Sequence, residues 1–166
     1  PHSQLYRHHS LLLCNCQSPK GGVIITPVKL ILTHENADFD ALASLLGASK
    51  LYPQARAVLP RRLNQNLRDF LTIYGGELPF IPFSDLPDEA ITLLVLVDTR
   101  SVPSLKGLRP ATKVQVIDHH GPLSKGEGGQ LWGGPTGANT TLLAEKMQEA
   151  QLPLSPVEAT LLVMGI

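Results

Sequence analysis

The segment Ile91-Thr-Leu-Leu-Val-Leu-Val97, closed by Asp98, constrains this chain more than any other. A run of β-formers without a charge has no polar face to give to water, and its length is far short of the roughly 20 residues of a membrane span. It reads as a strand buried on both faces of a parallel sheet. Such a sheet needs covering layers and crossover connections, and the flanking sequence supplies them. Val28 to Thr33, Ala55 to Leu59, Phe80 to Phe83 and Lys113 to Ile117 are short β-rich runs. Between and after them, Asp40 to Leu51, Leu63 to Tyr74, Thr136 to Ala150 and Ser155 to Met164 carry helical patterns. Gly75-Gly76 is expected to stop the second helix, and Ser155, Pro156 and Glu158 form a capping box at the start of the fourth. The expected fold is α/β, a parallel Rossmann-like sheet with helices on both faces.

Composition narrows the function classes. With 166 residues, 43% of them hydrophobic and 17% charged, the chain has the size and apolar content of one domain. Its 14 basic and 14 acidic side chains cancel, so no global field draws it onto nucleic acid or anionic lipid. An aromatic content of 5% argues against a multi-base stacking platform. No membrane partner is expected, and the scarcity of cysteine suits a reducing cytoplasm. Residues 1–27 show no period and are read as a disordered or non-native leader. His8, His9, Cys14 and Cys16 within it match no structural zinc spacing. Residues 28–166 form the domain.

The polar residues collect where strands end. The first strand runs into His34-Glu35-Asn36-Ala37-Asp38-Phe39-Asp40, the long apolar strand into Asp98-Thr99-Arg100, and the later strand into Asp118-His119-His120. Four of the seven aspartates and every histidine outside the leader lie in these three places. A single aspartate at such a position is explained as a helix cap. Three strand ends doing this together are not, because so many carboxylates without cations would repel one another and lose hydration. Mixed imidazole and carboxylate donors suit Mn²⁺, Mg²⁺, Zn²⁺ or Fe²⁺. A pair of ions would need a shared carboxylate, and Asp98, ending the most buried strand, is the best placed.

These residues resemble the DHH family of phosphoesterases, whose triplet stands here as Asp118-His119-His120. The family's first motif, a His followed by Asp-x-Asp and a helix, stands as His34, Asp38 and Asp40 in THENADFDALAS, and its second as Asp98 in VLVDTR. The stretch THENADFDALASLLGASKLYP, with LPRRLNQN after it, is most similar to the DHH module of bacterial proteins that continue into CBS domains and a tRNA nucleotidyltransferase or poly(A) polymerase-like region. The resemblance implies two divalent cations, Mn²⁺ in the first place and Mg²⁺ as the alternative. His34, Asp38 and Asp98 would hold one; Asp40, Asp98 and His119 would hold the other. His120 would act with Asp98 in catalysis, donating to the phosphate or to the leaving oxygen. Asp118 would orient an imidazole from behind, and Asn36 would help shape the first turn. The family's further metal-binding motif and its C-terminal substrate domain would follow Gly165-Ile166, so the domain is expected to be incomplete as it stands.

The implied activity is hydrolysis of phosphodiester bonds in short nucleic acids or nucleotides, within a longer protein of tRNA or RNA 3′-end metabolism. Two alternatives stay open: a catalytically weak nucleotide- or RNA-binding module that guides an attached nucleotidyltransferase, and a manganese inorganic pyrophosphatase. Arg61, Arg62 and Arg68 form the only basic cluster, read as a solvated helix start or a contact with RNA phosphates. The glycines from Gly126 to Gly134 are read as a flexible loop, and Trp132 as packed. Gly137-Ala138-Asn139-Thr140 opens a helix whose N-terminus favours an anion.

Overall fold

A computed structural model describes residues 27–86, 88–120 and 130–166. Six strands make one sheet: β1 (Val28–Leu32), β2 (Arg56–Val58), β3 (Phe80–Ile81), β4 (Ile91–Val97), β5 (Lys113–Ile117) and β6 (Gln130–Trp132). Every neighbouring pair is parallel, and the order is β3-β2-β1-β4-β5-β6. The chain moves outward from β1 to β3, then crosses back to lay β4 on the other side of β1. The crevice between the carboxyl ends of β1 and β4 is therefore the topological switch point, where open α/β sheets bind their ligands. β4 is central and pairs along its length with β1 and β5, which accounts for its lack of any polar face.

Four helices, α1 (Phe39–Leu51), α2 (Gln65–Tyr74), α3 (Asn139–Glu149) and α4 (Pro156–Gly165), pack into one core with Ile31, Val95, Val97 and Ile117. Helix α1 lies at its centre, with every residue from Ala41 to Ala48 buried. Its small side chains allow close approach: a Cβ on Gly47 would meet Leu143 Cβ of α3 at 2.8 Å, and one on Gly165 of α4 would meet Ala43 Cβ at 2.5 Å. Lys50 at the end of α1 pairs with Glu158 of α4 at 2.7 Å. The capping box at Ser155 forms as expected, with Glu158 N donating to Ser155 Oγ at 3.2 Å and Ser155 N to Glu158 Oε2 at 2.7 Å.

The parallel α/β sheet is as expected, but helices on both faces are not what the described residues show. The opposite face, with Leu30, Leu32, Val58, Leu94 and Leu96, is covered by Phe83 and Leu86 from a single 3₁₀ turn (Phe83–Asp85) and its end, and by Leu105 and Leu108 from loops. Pro82, Pro103, Pro110 and Gly107, whose φ is +82°, punctuate those segments and keep them from forming an α-helix. Two helices also start later than expected. Asn64 caps α2 through Leu67 N at 2.8 Å, and α3 begins only at Asn139. Gly75 to Glu77 continues α2 as a 3₁₀ turn.

Part of the glycine-rich stretch is a strand rather than a loop: β6 pairs with β5 from Gln115 to Ile117. Gly133 directly after it passes so close to the β5 end that a Cβ there would lie 2.0 Å from the Asp118 carbonyl oxygen. The readings made of the leader, of His8, His9, Cys14 and Cys16, of Gly126, Gly128 and Gly129, and of the Trp132 side chain lie outside the described residues. Among the described residues, no helix is long and apolar enough to cross a membrane.

Candidate metal centre

The site grows from the carboxyl ends of β1, β4 and β5, three adjacent strands. After β1 the chain turns through Asn36, which takes the left-handed conformation (φ 58°) that asparagine tolerates better than most residues. The turn is pinned from outside: Asn36 N donates to Arg62 O at 3.2 Å, and Arg62 N donates to Glu35 Oε2 at 3.0 Å. This holds His34 and Asp38 on one side of the loop. Asp38 caps α1, its Oδ1 accepting from Ala41 N at 3.0 Å, so the capping role of an isolated aspartate is real here.

Asp98 is the hinge of the arrangement. It directly follows β4 with φ +52°, a left-handed backbone that costs a non-glycine residue roughly 1–3 kcal/mol. Its amide donates to Ile117 O at 3.0 Å. The side chain is buried, with Oδ2 3.3 Å from His34 Nε2 and Oδ1 3.5 Å from His119 Nε2. Oδ1 has no hydrogen-bond partner among the described residues. Burying an anionic oxygen without a partner is costly, and a cation between it and the imidazoles removes that cost.

Both imidazoles are set to offer Nε2. His34 Nδ1 donates to Glu35 O at 2.9 Å, and His119 Nδ1 donates to Thr136 O at 3.0 Å. Tying Nδ1–H to a backbone carbonyl is how proteins fix the tautomer of a metal-binding histidine. Two groups of side chains lie close enough together to share an ion: His34, Asp38 and Asp98, and Asp98, His119 and His120. In each, one ligand atom per residue lies within 4.8 Å of the others. Asp98 belongs to both, so the residues present fit a shared carboxylate between two cations.

Asp40 stands differently from the other carboxylates. Its Oδ2 is 3.8 Å from His119 Nε2, yet both its oxygens are engaged by the start of α3. Oδ1 accepts from Thr140 N and Thr140 Oγ1, each at 2.7 Å, and Oδ2 accepts from Asn139 N at 2.9 Å. The anion drawn to that helix N-terminus is therefore Asp40 of the same chain. Asp40 joins neither of the two groups around Asp98.

The triplet after β5 divides its work. Asp118 is buried, its Oδ1 accepting from His120 Nδ1 at 2.8 Å and its Oδ2 from Arg100 Nε at 2.5 Å. Arg100 also donates to the His120 carbonyl. Burial pushes the Asp118 carboxyl up, but the hydrogen bonds from His120 and Arg100 outweigh it and hold the group below its ordinary range. The bond to Asp118 raises His120, which stays exposed. The bond to Asp98, against the opposing effect of burial, pushes His34 up to about 9.

Sequence reasoning passed over two contributors. Arg100, two residues beyond Asp98, was signalled only as a cation among strand-end acids. Asn139 is fully buried under Asp98. With its amide nitrogen donating to Ile117 O at 3.2 Å, its oxygen accepts from Ser44 Oγ at 2.9 Å and from Asp98 N at 3.2 Å. Of the basic cluster, Arg61 lies over the Phe83 ring at 4.1 Å and Arg68 bonds back to Leu63 O and Gln65 Oε1. All three arginines are exposed beside the first turn.

Comparison with known proteins adds to this geometry. Residues 29–166 match the family described as "DHH family, N-terminal domain". Among curated proteins, the A-adding tRNA nucleotidyltransferase of Geobacter sulfurreducens is 39% identical over 147 residues, covering 82% of this chain and 16% of that protein. That of Aquifex aeolicus is 34% identical over 140 residues, covering 83% and 16%. This chain thus spans about one sixth of either relative. Among solved structures, a Methanococcus jannaschii chain described as a candidate family II inorganic pyrophosphatase superposes with a TM-score of 0.61 at 21% identity, over 83% of this chain and 47% of that one. That likeness is one of fold.

Proposed function

The chain belongs to the DHH family, whose N-terminal domain residues 29–166 match, and we propose that it is a divalent-metal-dependent phosphoesterase module acting on phosphodiester bonds of short nucleic acids or nucleotides. The observation that carries this reading is Asp98 Oδ1, buried without a hydrogen bond and 3.5 Å from His119 Nε2, while Oδ2 faces His34. Mn²⁺, or Mg²⁺ as the alternative, would supply Lewis acidity and an activated water near neutral pH. His34, Asp38 and Asp98 would hold the first ion. Asp98 and His119 would hold the second, with Asp40 beside His119. His120, aligned by Asp118, donates to a phosphate oxygen or to the leaving oxygen. Arg61, Arg62 and Arg68 would meet backbone phosphates at the rim.

The curated relatives are named as A-adding tRNA nucleotidyltransferases, which supports a setting in tRNA metabolism within a longer protein; 3′-end processing in the cytoplasm, beside CBS and nucleotidyltransferase domains, belongs to the same proposal. One observation favours a second reading, a nucleotide- or RNA-binding module with weak turnover. The α3 N-terminus engages Asp40, which leaves the group around His119 and His120 with a single carboxylate.

Turnover of bis-(p-nitrophenyl) phosphate, a short oligoribonucleotide and pyrophosphate with Mn²⁺ separates the readings. Ester hydrolysis that falls about a thousandfold in Asp98→Ala is the expected result. Oligonucleotide binding without hydrolysis would favour the binding module, and preferential cleavage of pyrophosphate would favour a pyrophosphatase.

A further inference from the structure

A cavity of about 290 Å³ adjoins His34 on the side away from Asp38, lined among others by Leu32, Thr33, Val58, Phe83, Thr99 and Ser101. It lies in the sheet face that has no α-helical cover among the described residues, where short turns and loops leave space between the strand ends and Phe83. We infer that this cavity receives the nucleoside next to the scissile phosphate, an inference that rests on the phosphoesterase reading above.

Three observations support that occupant. The cavity shares His34 with the candidate metal group, so a phosphate held there has its attached sugar and base at the cavity mouth. Apart from His34 its lining among the described residues has no cationic side chain and includes the acidic Glu35, which disfavours a second phosphate and accepts an uncharged ring. The walls are mainly apolar, with Leu32, Val58 and Phe83, while Thr99 and Ser101 supply polar positions for a base or ribose edge. Arg61 lies against the Phe83 ring and holds this wall in place. The volume sits at the low end for small-ligand sites, about 300–1,000 Å³, and suits one nucleoside rather than two.

Calorimetric titration of the Mg²⁺-loaded chain with inorganic phosphate and with each of the four ribonucleoside 5′-monophosphates tests this. At least one nucleotide should bind ten times more tightly than phosphate. Ser101→Trp, an exposed position whose indole would fill the space, should remove that advantage while phosphate affinity stays within twofold. Equal binding of phosphate and all four nucleotides, or an undiminished advantage in Ser101→Trp, would overturn the inference. Absence of binding by both ligands would instead remove the phosphoesterase reading, and this inference with it.

Discussion

Asp98 is where residue-scale strain and function coincide. A left-handed backbone, burial and an unpartnered carboxylate oxygen occur together at one position, a combination that a purely structural residue has little reason to keep. Its importance was legible in sequence because an acid ends the most apolar run. Its backbone strain was not, since nothing in VLVDTR requires a positive φ. The same residue sets the behaviour of His34, whose pKa is pushed from 6.5 to about 9 by the Asp98 bond. A folded value above the unfolded one means the pair stabilises the metal-free fold below pH 6.5, and the contribution is lost as pH rises through about 9. A cation on His34 Nε2 must displace that proton. Mn²⁺ affinity measured by calorimetry should therefore keep rising between pH 7 and about 9, by up to about tenfold per unit. In His34→Ala that slope should vanish. A wild-type affinity that levels off above pH 6.5 would contradict the assignment.

At the scale of elements, helix ends decide how the site is held. Asp40 of α1 serves as the cap that α3 lacks, since Ala138 at its N-cap has no side chain to offer. Asp40→Ala should cost about 2–3 kcal/mol in urea unfolding of the metal-free chain, and a loss below about 0.5 kcal/mol would refute the cap. This contact joins residues 100 positions apart, so no local pattern announces it. The capping box of α4 was legible because its partners are three residues apart. β6 was missed because three residues beside glycines carry too little periodicity to stand out. Glu158 also couples α4 to α1. Burial opposes its ionisation, but Lys50 and Ser155 outweigh burial and lower its pKa from 4.5. Its stabilisation is therefore present above pH 4.5 and fades as pH falls through the folded value. Glu158→Gln keeps the Ser155 acceptor and loses the charge. It should be less stable than wild type by about 1 kcal/mol at neutral pH, a gap that closes on acidification. A gap that persists at low pH would contradict this account.

In the whole molecule, function follows from strand order. Placing β4 between β1 and β5 brings His34, Asp38, Asp98, His119 and His120 together from positions up to 86 residues apart in sequence. Three polar strand ends were visible in the sequence, and the parallel sheet it implied put them on one edge. How the second face is covered was not visible, because loops punctuated by proline pack apolar side chains without a helical period. That non-helical cover leaves the cavity beside His34. The central claim is that these strand ends bind divalent cations, and crystals of the chain soaked in Mn²⁺ test it most directly. An anomalous peak within about 2.0–2.5 Å of Asp98 and of a second residue from either group is the predicted result. Strong Mn²⁺ peaks elsewhere on the chain, with none beside Asp98, would contradict it.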